Sequence, residues 1–307
     1  MTETYSYWDP IGDRIMSDTF SLHTTSLLRK AEKYIQNPHR IQTLFLLYLF
    51  LAPLIIITFV ALFGANESII HVIIFSFVPS IIYYHSIKNF QENLMLFLMC
   101  QQQKWVYNPN RDDDRYLELK RIYPEVFNIG SSQVIEDQIW GVVDTNRRAD
   151  FWQSSFRYTT GSGKSSHTHK RSVLMITLPV SMPINFYLNN RNTFLLSHSK
   201  YKTESEQFNS LFSIKLNNQN PDAEITLLKL LSPSVQVRLI DMAHILPIVQ
   251  VGFMNNTMIF VLKDHLWKPK HTNFFKKVAV DERDISHFYS LIKNITEMPT
   301  EMLQYMD

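Results

Sequence analysis

Two long apolar runs near the N-terminus constrain this chain more than any other feature. They extend from Ile41 to Phe63 and from Ile69 to Ile87, with five residues between them, and neither contains Asp, Glu, Lys or Arg. As helices they would be about 34 and about 28 Å long, against a bilayer core of about 30 Å. The sequence therefore predicts a two-helix transmembrane hairpin over residues 41–87, with both chain ends on one side of the membrane.

The distribution of Lys and Arg predicts which side that is. Basic residues flank both outer ends of the hairpin, whereas the connecting loop carries only one charged residue, Glu67. Short segments rich in Lys and Arg stay in the cytoplasm, so an integral membrane protein with cytoplasmic N- and C-termini is expected. The residues expected to contact the membrane surface are Arg29, Lys30, Lys33, Arg40, Tyr83, Tyr84 and Lys88.

Three residues within the runs bear on conduction or gating. Pro53 and Pro79 lie near the middle of their runs, and His71 lies near the non-cytoplasmic end of the second. Membrane helices tolerate proline where neighbours satisfy the freed carbonyl, and a lone histidine without an acidic partner is weak evidence for a proton path. The pattern favours an anchor over a small pore or transport subunit.

Composition removes several classes of enzyme. The chain has 7 glycines in 307 residues, and they form neither a GxGxxG loop nor a GxSxG turn. The stretch 161–165, GSGKS, resembles the end of a phosphate loop, but that motif needs glycine at position 158, where this chain has Tyr158. The sequence therefore predicts no nucleotide cofactor, and no other cofactor is indicated.

The cysteine and histidine content argues against a metal or redox site. Cys100 is the only cysteine, which excludes an intramolecular disulfide and a multi-cysteine zinc site. His167 and His169 are the nearest approach to a ligand pair, but two ligands in a polar loop do not make a preorganised site. No metal site is predicted.

The remaining pattern predicts the domain organisation. Residues 1–40 form an N-terminal cytosolic segment with an amphipathic helix, 41–87 the transmembrane hairpin, 88–107 a helical stalk and 108–307 a cytosolic domain. That domain is predicted to be mixed α+β with antiparallel hairpins. One hairpin has its tip at residues 159–171, and another turns at Asn255-Asn256. Helices are expected from Asp112, from Pro221 and from Pro233.

Several short sequence segments between residues 40 and 275 occur in an order that resembles the layout of a known protein family. They are 138–141, the strand around Phe151, 208–214, 231–233 and 251–259. Behind paired apolar runs, they resemble the DUF3137 family of bacterial proteins, a group without an assigned molecular function. Trp152 and Gln153 stand where that family usually has acidic residues. The resemblance implies an architecture and a bacterial inner-membrane setting, but no reaction.

Three functions are compatible with these patterns. The favoured one is a non-enzymatic binding or scaffold module at the inner face of the membrane, which recruits a protein partner or assembles with itself. The alternative is a membrane-associated enzyme that acts on a lipid or peptide through a dispersed carboxylate and histidine site, and the third is the pore or transport subunit. The catalytic candidates for the enzyme are Asp144, Asp150, His198, Asp241 and His244, with Arg147 and Arg148 nearby.

The predicted partners follow from charge and hydropathy. The chain has a formal net charge of +2, and its positive charge is spread rather than gathered in one stripe, so nucleic-acid binding is not predicted. The expected partners are the lipid bilayer, with anionic lipid as a surface ligand, and a protein partner or a second copy of the chain.

Overall fold

The computed structural model describes residues 105–144, 149–177, 181–192, 201–217 and 221–263, with scattered helical residues between 47 and 62, 96 and 103, and 286 and 302. The chain divides into two compact units. One comprises residues 1–99 and 269–281, and the other comprises residues 100–268 and 282–307. All the strands that the structure describes belong to the second unit.

The predicted transmembrane hairpin is wrong for the part of the chain that the structure describes. Among those residues, no helix is both long enough and apolar enough to cross a membrane. In the first apolar run, the described residues between Leu47 and Leu62 are helical. A membrane-spanning segment is a helix, because each backbone group must be hydrogen-bonded internally, and it needs about 20 consecutive apolar residues to cross the bilayer core. The second run, 69–87, lies outside the described residues.

Two further predictions rested on that hairpin and are corrected with it. The integral, inner-membrane localisation and the cytoplasmic placement of both termini required the two spans, so the same finding overturns them. The surface residues assigned to this setting all lie outside the described residues, as do Pro53, Pro79 and His71. These surface residues are Arg29, Lys30, Lys33, Arg40, Tyr83, Tyr84 and Lys88.

The second unit is built on one eight-stranded sheet. Its strands are β1 (Val106–Asn108), β2 (Ser131–Asp144), β3 (Ala149–Thr160), β4 (His167–Thr177), β5 (Phe186–Asn190), β6 (Phe212–Leu216), β7 (Ile248–Met254) and β8 (Thr257–Leu262). Their spatial order is β1-β2-β3-β4-β8-β7-β5-β6, and each described pairing is antiparallel.

Between residues 105 and 263, as far as the structure describes them, five short α-helices and one 3-10 turn (Gly163–Ser165) accompany the sheet. The α-helices are α1 (Asp113–Ile122), α2 (Pro124–Phe127), α3 (Glu206–Leu211), α4 (Pro221–Leu230) and α5 (Pro233–Ile245). Local sequence explains several of their starts. The Asp112 side chain accepts a hydrogen bond from the Arg115 amide, and the Ser205 hydroxyl accepts one from the Phe208 amide, so both residues are N-caps. Proline opens α2 and α5, where its missing N–H costs nothing.

The predicted fold class is therefore wrong. The structure shows a mostly antiparallel eight-stranded sheet with few helices, instead of a two-helix membrane hairpin followed by a mixed α+β domain. The physical reason is that period-two patterns identify single strands and hairpins but do not show which distant strands pair. In this chain β4 pairs with β8 and β5 pairs with β7, which joins strands far apart in sequence into one sheet.

The core of the unit is apolar on both faces of the central strands. Every residue of β8 is buried, as are six of the seven residues of β7, so neither face of these strands is open to water. Phe186 stacks on Phe253 with ring centroids 4.6 Å apart. On one face of β3, Phe156 packs against Phe127 of α2 and Tyr116 of α1, which places these two helices over that face.

Candidate functional site

The predicted catalytic residues that the structure describes lie on different elements of the chain. Asp150 lies in β3 and is exposed, and Asp241 and His244 lie exposed in α5. Asp144 ends β2, whereas His198, Arg147 and Arg148 lie outside the described residues. Their role in catalysis stays an untested prediction. Within the described residues, no three His, Cys, Asp or Glu side chains are grouped so that they could hold a metal ion.

The described surface contains a cleft of about 650 Å³ between the loop 202–205 and helices α4 and α5. A cleft of this size is within the range of ligand-binding pockets. None of the predicted catalytic residues whose side chains the structure describes lines it. Its lining residues are Lys202, Thr203, Glu204, Ser205, Leu228, Leu231, Pro233, Gln236 and Val237.

A network of hydrogen bonds fixes the loop side of the cleft. The Thr203 hydroxyl donates to Gln236 Oε1 at 2.9 Å, and the Asn209 side chain donates to the Thr203 carbonyl at 2.7 Å while accepting from the Thr203 amide. Gln236 Nε2 donates in turn to the Leu231 carbonyl at 2.6 Å. The polar groups are thus satisfied by one another, so the loop is held in place without a ligand.

The helical side of the cleft exposes apolar surface. Leu228 of α4 and Val237 of α5 both line the cleft, although 45% and 56% of their surfaces are exposed to solvent. Ile225 lies one turn before Leu228 and is 59% exposed, and Ile245 lies two turns after Val237 and is 66% exposed. Only Leu117 and Val142 are comparably exposed large apolar residues in the rest of 105–263 as described.

Carboxylates continue the same helical rows. Asp222 precedes Ile225 by three residues on α4, and Asp241 lies between Val237 and Ile245 at four-residue spacing on α5, so each shares a helix face with these apolar residues. Lys202 and Glu204 line the loop side with opposite charges. The cleft therefore has a polar loop side and an apolar helical side, and the two carboxylates lie on the same helices as Leu228 and Val237 but outside the lining.

A second polar cluster lies on the sheet, where β2 has a bulge. The register shifts between Glu136 and Ile139, so that two residues of β2 oppose one residue of β3, and Asp137 has the left-handed φ of 54°. The carboxylates of Glu136 and Asp137 both form ion pairs with Lys170, whose Nζ lies 3.7 Å from Glu136 and 3.6 Å from Asp137. The Tyr107 hydroxyl donates to Asp137 at 3.4 Å. The ion pairs satisfy this cluster internally.

The ionisation of Asp137 reflects its environment. Burial raises the pKa of its carboxyl above the ordinary value, the nearby Lys170 ammonium opposes this increase, and the Glu136 carboxylate adds to it. Burial, with the Asp137 carboxylate next in importance, also raises the pKa of the Tyr107 hydroxyl, which therefore stays protonated and able to donate. A raised carboxyl pKa on a strained residue can accompany a functional site, but the cleft described above lies elsewhere.

Replacing Asp137 by asparagine should increase the free energy of unfolding at pH 7. A carboxyl whose pKa rises on folding binds its proton more tightly in the native state, so stability is lost as pH rises from the ordinary pKa near 4 through the raised value. Asparagine does not ionise and tolerates positive φ, and the ion pair that it removes is solvent-accessible and weak. Urea unfolding should show a gain at pH 7 that shrinks near pH 4, whereas an equal gain at both pH values would contradict this reasoning.

The single thiol is not part of a site. Cys100 is 1% exposed, and burial raises its pKa to about 12, so the nucleophilic thiolate is almost absent at neutral pH. Its side chain is part of the buried core instead.

Comparison with known proteins adds little. No protein-family model matches the chain, and no curated protein sequence matches it either. The crystal structure of the mycobacterial trehalose monomycolate transport factor A aligns with a TM-score of 0.38 at 8% identity, over 69% of this chain and 94% of that chain. A TM-score of this size establishes neither a shared fold nor a shared function. The resemblance to the DUF3137 family stays a prediction that no comparison tests.

Proposed function

We propose that this chain is a non-enzymatic protein-binding module, whose cleft receives apolar side chains from a segment of its partner. The observation that carries this proposal is the exposure of Leu228 and Val237 at the mouth of a cleft whose loop side is already hydrogen-bonded. Exposed apolar side chains that cluster around a concavity are typical of sites where proteins associate.

The chemistry of the lining favours binding over catalysis. Among the described lining residues only Lys202 and Glu204 are titratable, and each is exposed on the loop. The Thr203 hydroxyl donates its hydrogen bond to the Gln236 side-chain amide, so it is not paired with a general base that could activate it as a nucleophile. A catalytic cleft is expected instead to bring a nucleophile or an acid–base pair to the reacting atoms. The dispersed-site enzyme remains the alternative, and no described contact supports it.

The surroundings of the cleft indicate the partner's chemistry. Apolar side chains would fill the space beside Leu228 and Val237, and Lys or Arg on the same segment would meet Asp222 and Asp241. Such complementarity increases association rates and rejects partners of the wrong charge. We therefore assign an amphipathic segment with basic residues to this cleft, and a second copy of the chain is the competing occupant.

Replacing Leu228 by glutamine should weaken binding of such a segment about tenfold, because a buried apolar anchor at an interface contributes about 1–2 kcal/mol. The probe is a labelled helical peptide with leucine on one face and lysine on the other, measured by fluorescence anisotropy with the full chain. A peptide in which glutamate replaces every lysine should bind more weakly to the unchanged protein.

The chain offers a matched control. Leu117 is also an exposed leucine on a helix, at 60%, but lies on α1 and outside the cleft lining. Leu117→Gln should change affinity less than about twofold, since it alters the same chemistry elsewhere. Equal affinity of the Leu228→Gln and Leu117→Gln variants would exclude the cleft as the binding site. A concentration-dependent dimer that only Leu228→Gln dissociates would assign the cleft to a second copy.

A further inference from the structure

One edge of β4 lacks a strand partner over part of its length in the described chain. β4 pairs with β3 over all ten positions from Thr160↔His167 to Phe151↔Ile176. It pairs with β8 only from Ser172 to Thr177, because β8 ends at Leu262 opposite Ser172. Residues 167–171, which we call the basic edge, therefore have no strand on their outer side among the residues that the structure describes.

The sequence from β3 onwards is positively charged, and four of its basic residues, Arg157, Lys164, Lys170 and Arg171, belong to β3, β4 or the turn between them. From Phe151 to Thr203 the sequence contains no Asp or Glu, and its basic residues are Arg157, Lys164, Lys170, Arg171, Arg191, Lys200 and Lys202. The basic edge itself has the sequence HTHKR, with His167, Thr168 and Lys170 exposed. Positive charge and a backbone edge without a described strand partner thus occur on the same five residues, and residues 264–285, which follow β8, lie outside the described residues.

The two faces of the paired strands β3 and β4 differ in how their positive charge is balanced. Residues directly opposite in an antiparallel pair share a face, so Lys170 shares one with Arg157, and Glu136 forms ion pairs with both. Arg171 is on the other face. Its guanidinium lies 5.7 Å from the centre of the Tyr158 ring, and its Nε donates to the Tyr158 hydroxyl at 2.9 Å. Within the described chain no carboxylate pairs with Arg171.

The histidines are held on the same face as Arg171. His169 stacks on Tyr158 with ring centroids 5.1 Å apart, and it shares a hydrogen bond of 2.7 Å with the Thr160 hydroxyl. His167 is directly opposite Thr160. Positions 167, 169 and 171 thus alternate on the face where Phe156, opposite Arg171, packs against α1 and α2. Arg171 is half-buried, and its Nη1 has no hydrogen-bond partner among the described residues. The spacing of the three positions matches every second residue of an added strand.

We propose that the basic edge binds an extended acidic segment of another protein, which adds to the sheet as a strand beside 167–171. Backbone hydrogen bonds to the open edge would provide affinity, and carboxylates at alternate positions of the segment would meet Arg171 and the two histidines. A second copy fits poorly, because pairing two such edges would place basic side chains against each other. This surface is separate from the cleft lining, so either proposal can fail alone.

Three probes separate strand addition from simple attraction between charges. The first is a labelled eight-residue peptide that alternates glutamate with valine. The second has the same sequence with N-methylated amides on one edge, which keep the charge but block backbone pairing. The third is a single-stranded oligonucleotide of similar charge. With the full chain, the unmodified peptide should bind at least about tenfold more tightly than the other two, and its binding should weaken with salt.

Arg171→Gln should weaken binding of the unmodified peptide about five- to tenfold, because it removes a charge-assisted hydrogen bond. Arg121→Gln is the matched control, since Arg121 is exposed at the end of α1. Hydrogen exchange provides a measurement without substitution. Addition of the peptide should slow exchange at 167–171 and leave β7 unchanged.

Equal binding of the N-methylated peptide or of the oligonucleotide would overturn the proposal, because charge alone would then explain the interaction. Basic residues also protect edge strands against aggregation. If no probe binds and Arg171→Gln only increases aggregation, the charges are protective and the proposal is wrong. Tight binding of the unmodified peptide, with protection confined to 167–171, is the supporting result.

Discussion

Replacing Phe253 by alanine should lower the free energy of unfolding by about 3–5 kcal/mol, the usual cost of removing a buried phenylalanine ring. Phe253 lies in β7, opposite Phe186 of β5 and Met258 of β8, and all three are fully buried. The ring stacks on Phe186 at 4.6 Å, so its loss leaves a cavity beside a second aromatic side chain. Guanidinium unfolding followed by tryptophan fluorescence measures the effect.

An exposed apolar residue is the control for that substitution. Ile245 is 66% exposed on α5, and Ile245→Ala should change the free energy of unfolding by less than about 0.5 kcal/mol. If Phe253→Ala does not fold, Phe253→Leu keeps most of the volume and should lose less, about 1–1.5 kcal/mol. A loss below about 1 kcal/mol for the alanine variant would show that β7 is not the centre of the core.

Local signals in the sequence predict several elements correctly. The hairpin at Asn255-Asn256 is confirmed, with Asn255 in the left-handed conformation that such turns need. Helices begin at Asp113, Pro221 and Pro233 as caps and prolines indicate. These features depend on neighbours in sequence, so sequence alone is sufficient for them.

Elements that depend on distant contacts were not predictable in the same way. The hairpin tip was predicted at 159–171, but β3 continues to Thr160 and β4 begins at His167. The residues at these strand ends are polar, and polar residues predict a loop. Backbone pairing between two strands, however, does not require apolar side chains. The bulge at Asp137 could not be predicted either, because only the pairing with β3 reveals that β2 contains an additional residue.

The cleft was missed because its residues carry no catalytic motif. The five titratable candidates were chosen by chemical type, which gives no information about distance. One signal could have indicated the cleft: in α4 the leucines 227 and 230 are buried, yet Ile225 and Leu228 add apolar surface on another side of the helix. A helix that is apolar on more than its core-facing side predicts a second contact surface.

Replacing Asp112 by alanine should cost about 2–4 kcal/mol, because this carboxylate joins a helix cap to the sheet. One oxygen accepts from the Arg115 amide at 2.9 Å, and the other accepts from Gln138 Nε2 at 3.1 Å. Gln138 is 3% exposed, and its Oε1 accepts from the indole of Trp152, which is also buried. Loss of an N-cap costs about 0.5–2 kcal/mol, and a buried donor left without a partner about 1–3 kcal/mol.

The next residue is the matched control for Asp112→Ala. Asp113 is also an aspartate at the start of α1, but its side chain is 56% exposed and pairs with the exposed Arg111. Asp113→Ala should therefore cost less than about 1 kcal/mol, as expected for a surface ion pair near a helix N-terminus. Asp112→Asn should recover the cap but not the bond to Gln138, because an amide nitrogen then competes for that position. Urea unfolding should rank the variants Asp113→Ala, Asp112→Asn and Asp112→Ala by increasing loss. Equal losses for Asp112→Ala and Asp113→Ala would mean that the connection from α1 through Gln138 to Trp152 contributes no stability.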